Sequence, residues 1–239
     1  MKKLKFKDGA ADSLPIAMGY FSVSFGVGIT AAGSGLSPFA AAMLSLFNFT
    51  SAGEAAGISI IATGGSYIEM AAAQLIINLR YSLMSLSLSQ KMDSSFTLFH
   101  RFTTSFAVTD ERFAAAAGRT ENINRNYMYG LMVLPLAAWT AGTFFGAFAG
   151  HILPASVSEA LGIALYSMFI AIVIPPASKN KGILLSALSA AALSCMIYFI
   201  PALKFISSGF SVIICGIAAA LAAAVFFPVP DNESEEETG

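Results

Sequence analysis

The sequence predicts an all-α, polytopic membrane protein with six to seven transmembrane helices, one or more of them broken or re-entrant. Three observations carry this. Of 239 residues, 56% are hydrophobic and only 11% are charged, against about 25% charged in a soluble domain, and mean hydropathy is +0.72. Residues 13–53, 126–158, 160–178, 182–203 and 205–230 contain no charged side chain, and a membrane span needs about 20 mostly apolar residues at 1.5 Å rise each. Residues 38–88 are apolar in the main but interrupted by Asn48, Thr50, Ser51, Gly53, Glu54, Gly57 and Gly64-Gly65, as an unwound segment inside a bilayer requires.

In chain order, Lys2, Lys3, Lys5 and Lys7 form a basic lead, too long-tailed in its apolar run for a cleaved signal peptide. The first span is expected from about Leu14 to Ala32, with Pro15 suited to a helix N-terminus. Gly33, Gly35, Ser37 and Pro38 make a loop. A second segment runs from Pro38 to about Ile61, and a third from Tyr67 to about Leu88, carrying Glu69, Gln74, Asn78 and Arg80. Residues 89–127 are polar. Four cleaner spans are expected at about 128–149, 157–174, 182–200 and 207–227. Residues 1–227 thus form one membrane domain, and 228–239 an acidic, disordered tail.

Lysine and arginine placement sets orientation. Four lysines precede the first span, five basic residues lie between 89 and 127, and Lys179 and Lys181 share a later loop. All eleven lie on the cytoplasmic side if residues 38–88 make one net crossing, which favours a broken or re-entrant piece there and both termini inside. Seven full crossings satisfy the rule poorly. Pro15-x10-Gly26 recurs as Pro135-x10-Gly146, consistent either with two related halves or with composition bias.

Embedded charge marks candidate chemistry, because a charge at the bilayer centre costs about 2.5–3.5 kcal/mol on insertion scales. Glu54 stands among small residues that permit an unwound helix. Glu69 and Arg80, about 16 Å apart along a helix, read equally as snorkelling ends or as functional groups. Asn78 and Arg80 cannot share a face of a regular helix, so a break is needed to turn both toward one cavity. Gly142, Gly146 and Gly150 form a double GxxxG ridge for close helix packing, within this chain before any oligomer. The lone tryptophan, Trp139, reads as an interface anchor or a pocket wall. Cys195 and Cys215 suggest no disulfide framework, and His100 and His151 supply no zinc spacing. No nucleophile elbow, P-loop, zinc-protease or dinucleotide fingerprint occurs, so neither an enzyme nor an ATP-driven pump is expected, and no metal or cofactor. A net charge of −1 gives no general affinity for nucleic acid.

Several motifs resemble the AzlC-type permeases, the large subunit of branched-chain amino acid exporters. Gly9-Ala-Ala-Asp12-Ser13-Leu14-Pro15-Ile16 resembles that family's opening, followed by Phe25-Gly26 and Leu36-Ser37-Pro38. Val108-Thr109-Asp110-Glu111-Arg112-Phe113-Ala114 is similar to its "L-T-D-E-x-F-A", and Trp139 to Phe148 to its "W-x-x-G-T-x-x-G-A-F". Thr50-Ser51-Ala52-Gly53-Glu54-Ala55 stands at the family's "A-G-A-S-Q-F" break, with Glu54 in place of the usual Gln, and Asn78-Leu79-Arg80 at its polar-x-Arg. The resemblance covers about residues 8 to 227. It implies secondary export of leucine, isoleucine and valine across the cytoplasmic membrane with a small AzlD-type membrane subunit. On that basis Asn48, Ser51, Glu54, Asn78 and Arg80 are the expected substrate-binding residues, with Phe47 and Phe49 as apolar pocket walls. Glu54, then Asp110, are the expected proton carriers for coupling to the proton motive force. Thr109 or Asp110 is the expected N-cap of a short helix. The alternative is a channel-like or scaffold subunit without a substrate site, its polar residues serving packing alone.

Overall fold

The computed structural model describes residues 4–154, 156–157, 170, 173–175 and 177–227. The span expected at 157–174 lies largely, and the acidic tail wholly, outside the described residues. The chain divides into two compact units, Met1–Ser167 and Met168–Gly239. All regular elements among the described residues are helices, and four are long and apolar enough to cross a membrane.

Two of these, α1 (Phe6–Gly33) and α7 (Arg125–Ile152), frame the first unit. At 28 residues each, they are about 42 Å long. The first begins well before the expected Leu14. The Asp8 carboxylate accepts the backbone N–H of Lys5 at 2.8 Å, which starts the helix inside the basic lead. Pro15 therefore lies within α1, not at its start, and its missing N–H removes one helical hydrogen bond. Asn124 caps α7 by accepting from the Tyr127 N–H at 3.0 Å.

The two long helices run parallel and almost touch. Gly9 faces the backbone of Tyr127 and Leu131, and Gly130 faces that of Phe6 and Ala10. Farther along, Gly28 faces Thr143 and Ala147, while Gly146 faces Phe25. A Cβ at any of these four would strike main-chain atoms, so the close approach depends on glycine, as in tight membrane helix pairs. The offset between facing residues stays near 120, the offset that separates Pro15 from Pro135 and Gly26 from Gly146.

Parallel helices begin on the same side, and the Asn124 amide donates to the Leu4 carbonyl at 2.6 Å there. Residues 34–124 must then make one net crossing. Helix α2 (Pro38–Asn48) is capped by Ser37, which accepts the Ala40 N–H. It starts beside the far end of α7, where His151 bonds the Leu36 carbonyl, and descends until Ser45 meets Thr143. Phe49 then turns the chain in the left-handed region (φ 53°), a conformation costing about 1–2 kcal/mol for a residue with a Cβ. Helix α3 (Ser51–Ala62) climbs back, antiparallel to α4 (Tyr67–Ser89): Gly53 lies by Gln74, Gly57 by Met70 and Gly65 by Glu69. The pair α2–α3 is therefore a re-entrant hairpin, and α4, 23 residues long but more polar than the four apolar spans, brings the chain back to the near side. Leu88 at its end packs with Leu4, Phe96, Ile123, Tyr127 and Met128 in the main apolar cluster.

A second hairpin enters from the near side. Helix α5 (Leu98–Ser105) starts where His100 bonds Tyr129 and Arg125. It carries Phe106 inward to stack on Phe49. Helix α6 (Asp110–Ala117) returns to Arg119, which pairs with Asp12 and lies over the Tyr127 ring. These bonds raise the Arg119 pKa further above its ordinary value. Residues 89–127 are thus not a simple solvated loop. In the second unit, α8 (Lys181–Phe199) and α9 (Ser208–Phe226) pack on each other across a short 3-10 turn, Pro201–Leu203.

Candidate functional site

The tips of the two hairpins meet beside the α1–α7 pair, near the middle of both helices. Four rings gather there. Tyr20 and Trp139 stand edge-to-face at 5.2 Å, and Phe49 meets Tyr20 at 6.2 Å, Trp139 at 6.4 Å and Phe106 at 6.3 Å. Phe49 is buried, whereas Phe47 points outward and is 73% exposed, so of the two expected pocket walls only Phe49 faces this junction.

Glu54 sits in the first turn of α3, wholly buried. Its Oε1 accepts the Trp139 indole N–H at 2.7 Å, and its Oε2 stands 2.6 Å from Ser45 Oγ. That oxygen is 2.7 Å from Thr143 Oγ1, which in turn is 3.1 Å from the Trp139 carbonyl. Each hydroxyl has one proton. With Glu54 ionised, Ser45 donates its proton to the carboxylate and Thr143 donates to the Trp139 carbonyl. With Glu54 protonated, only the first bond reverses: the acid donates to Ser45, which turns its proton to Thr143, and Thr143 still donates to the carbonyl. Rotation of the Ser45 hydroxyl accommodates either state.

A ladder of amides flanks this. The Gln74 side chain donates to the Gly53 carbonyl at 2.8 Å and accepts from Asn78 at 3.1 Å, an i, i+4 pair on α4. Thr50 accepts the Gly53 N–H and lies 3.5 Å from Asn48. Asn48, Ser51, Glu54 and Asn78 thus cluster about the α2–α3 break, with Gln74 as the link. Arg80 does not join them. Helix α4 is unbroken, so Arg80 turns toward α6, pairing with Asp110 at 2.9 Å with both side chains half exposed and bonding Tyr81. Glu69 is buried in the first turn of α4. The ridge glycines Gly142, Gly146 and Gly150 all face α1 of this same chain, and Trp139 is buried.

The Thr109–Arg112 turn supplies the other wall. Thr109 is the N-cap of α6 without making the usual side-chain cap bond. Its hydroxyl instead accepts from Arg112 Nε at 3.2 Å and lies 2.6 Å from the Tyr20 hydroxyl, which donates to Glu111 at 2.6 Å. Arg112 is only 2% exposed, with its guanidinium carbon 4.3 Å from the Phe49 ring centre. Neither Nη1 nor Nη2 has a hydrogen-bond partner. A buried polar group without a partner costs about 1–3 kcal/mol, and more when charged, while a desolvated cation–π contact returns about 2. Nothing in spacing or periodicity marks Arg112 as buried. Its only signal is its place inside the 108–114 motif.

The AzlC protein family model matches residues 15–153, the stretch that holds both hairpins and most of the α1–α7 frame. "Inner membrane protein YgaZ" of Escherichia coli (strain K12) is 28% identical over 235 residues, covering 95% of this chain and 94% of that protein. An "uncharacterized membrane protein" of Archaeoglobus fulgidus is 30% identical over 176 residues, 73% of this chain and 77% of its own length. No solved structure matches the chain. The chain belongs to the AzlC family, and it is a multi-pass membrane protein.

Proposed function

We propose that this AzlC-family protein is a secondary transporter that exports branched-chain amino acids across the cytoplasmic membrane. In this reading it is driven by the proton motive force and works with a small AzlD-type membrane subunit. The observation that carries the reading is the meeting of two re-entrant tips, lined by polar groups, inside a frame of membrane helices. Such breaks are where transporters bind substrate, because half-helix N-termini attract carboxylates while exposed carbonyls attract cations. The substrate's ammonium is held by the α2 C-terminal end with Asn48, Ser51 and Asn78 close by, and its small apolar side chain by the rings around Phe49. Glu54 carries the proton, the Ser45–Thr143 pair serving both its charge states. Arg80 acts at one remove, by holding Asp110 at the near-side flank of the site.

The test is counterflow of labelled leucine in proteoliposomes containing the chain and its small partner, with and without Glu54→Gln. Gln preserves the hydrogen-bonding shape but cannot carry a proton. Retained counterflow with loss of pH-driven uphill export is expected. Full uphill export in the variant removes Glu54 as proton carrier, and no counterflow of any branched-chain amino acid by the wild-type protein defeats the substrate assignment.

A further inference from the structure

We infer that Arg112 binds the carboxylate of the transported amino acid, from the hairpin opposite to the one that carries Glu54. The inference deepens the export reading and rests on it. Nη1 and Nη2 together hold four N–H donors, yet neither nitrogen has a partner in a side chain that is 2% exposed. The rest of the guanidinium is fixed: Nε donates to Thr109, and one face lies against Phe49. Those two contacts orient the fork, and its two terminal nitrogens stay buried without partners. A carboxylate would satisfy both nitrogens with two parallel bonds, the geometry an arginine fork provides and a lysine does not.

Purely structural burial accounts for this less well. Among the described residues Arg112 makes no ion pair within 4 Å, although Glu111 is its neighbour in the chain. The Glu111 carboxylate is instead engaged by Tyr20, which keeps it off the guanidinium fork. Phe49, the platform, is the strained left-handed residue at the tip of the α2–α3 hairpin. Carboxylate binding at Arg112 would therefore join the two hairpins through the substrate, whose ammonium faces the α2–α3 break.

The protein carries its own reporter. Trp139 is the single tryptophan and stands edge-on to Phe49 at 6.4 Å. The chain in nanodiscs is titrated with leucine, with leucinamide, which keeps the ammonium but lacks the carboxylate, and with 4-methylpentanoate, which keeps the carboxylate and side chain but lacks the ammonium. Trp139 fluorescence is followed. Leucine and 4-methylpentanoate are expected to saturate the signal, with leucinamide weaker by about tenfold to a hundredfold. Arg112→Gln should lower affinity for the first two by a similar factor and leave leucinamide unchanged, with helicity by circular dichroism as the folding check. Arg112→Lys, which keeps the charge, should fall between and serves if the Gln variant does not fold. A folded Gln or Lys variant with full discrimination against leucinamide overturns the inference while leaving export intact. So does wild-type protein that binds leucine and leucinamide alike. Saturation by 4-methylpentanoate through Arg112 without any leucine counterflow defeats the amino acid reading and leaves the carboxylate site standing.

Discussion

Trp139 donates its indole N–H to Glu54 at 2.7 Å, joining the middle of α7 to the first turn of α3. With Ser45 on the other carboxylate oxygen, three helices converge on one buried acid. Trp139→Phe keeps the aromatic packing and removes the donor, leaving Oε1 unpartnered. We expect the protein to lose about 1.5–3 kcal/mol of stability, the range for hydrogen bonds to charged groups. Thermal unfolding in nanodiscs measures it. An unchanged melting temperature shows that this bond does not hold the hairpin.

The parallel contact between α1 and α7 makes a sharper contrast. At Gly28 a Cβ would meet the Thr143 carbonyl and the Ala147 amide, whereas at Gly19, on the same helix, it would meet nothing within 4 Å. Gly28→Ala must separate the helix backbones and should cost about 1–3 kcal/mol. Gly19→Ala should stabilise slightly, by up to about 1 kcal/mol of helix propensity. Folded yield and melting temperature of the two variants check this, and equal behaviour contradicts the packing.

The re-entrant course of α2–α3 places Ser34, before the hairpin, and Thr63, after it, on one side of the membrane. Single cysteines at both should react with an impermeant reagent from outside intact cells. Cysteines at Ser94 and Asn122 should react only after permeabilisation, since Asn124 is tied to Leu4 at the basic end. Opposite labelling of positions 34 and 63 means the hairpin crosses.

Much of this path is legible in the residues. Charge-free stretches mark α1, α7, α8 and α9, and Gly53 with its polar neighbours marks the break. The lysines and arginines favour one net crossing between 38 and 88, the course α4 takes after the re-entrant hairpin. Other features are not legible, for identifiable reasons. Helices of eight residues such as α5 and α6 complete barely two turns, too short for apolar periodicity to show, so α5 reads as loop, while α6 is announced only by its cap at Thr109. Pro15 reads as a start because the Asp8–Lys5 bond that opens α1 lies among lysines, which look like a solvated lead. Arg112, in a polar stretch, reads as surface; only the fold puts Phe49 beneath it. The separation of Arg80 from the Glu54 cluster depends on α4 staying regular through Asn78, and no residue type announces that.

The Arg80–Asp110 pair separates a structural from a functional carboxylate. Both side chains are half exposed, and such pairs contribute about 0–1 kcal/mol. As the first residue of α6, Asp110 adds about 0.3–1 kcal/mol through the helix dipole. Asp110→Asn should therefore leave abundance near normal. If Asp110 also passes the proton between Glu54 and the near side, the variant loses pH-driven uphill export while keeping leucine counterflow, because Asn neither ionises nor releases Arg80 from hydrogen-bonding reach. The exchange Arg80→Asp with Asp110→Arg tests the pair by itself: it restores the attraction but moves the carboxylate onto α4. Recovery of uphill export in the exchanged protein assigns the pair a positioning role only. Failure of the exchange, together with failure of Asp110→Asn at normal abundance, requires the carboxylate at the head of α6, beside the buried Thr109–Arg112 turn. Normal uphill export by Asp110→Asn at normal abundance removes Asp110 from the proton path and leaves Glu54 as the remaining candidate.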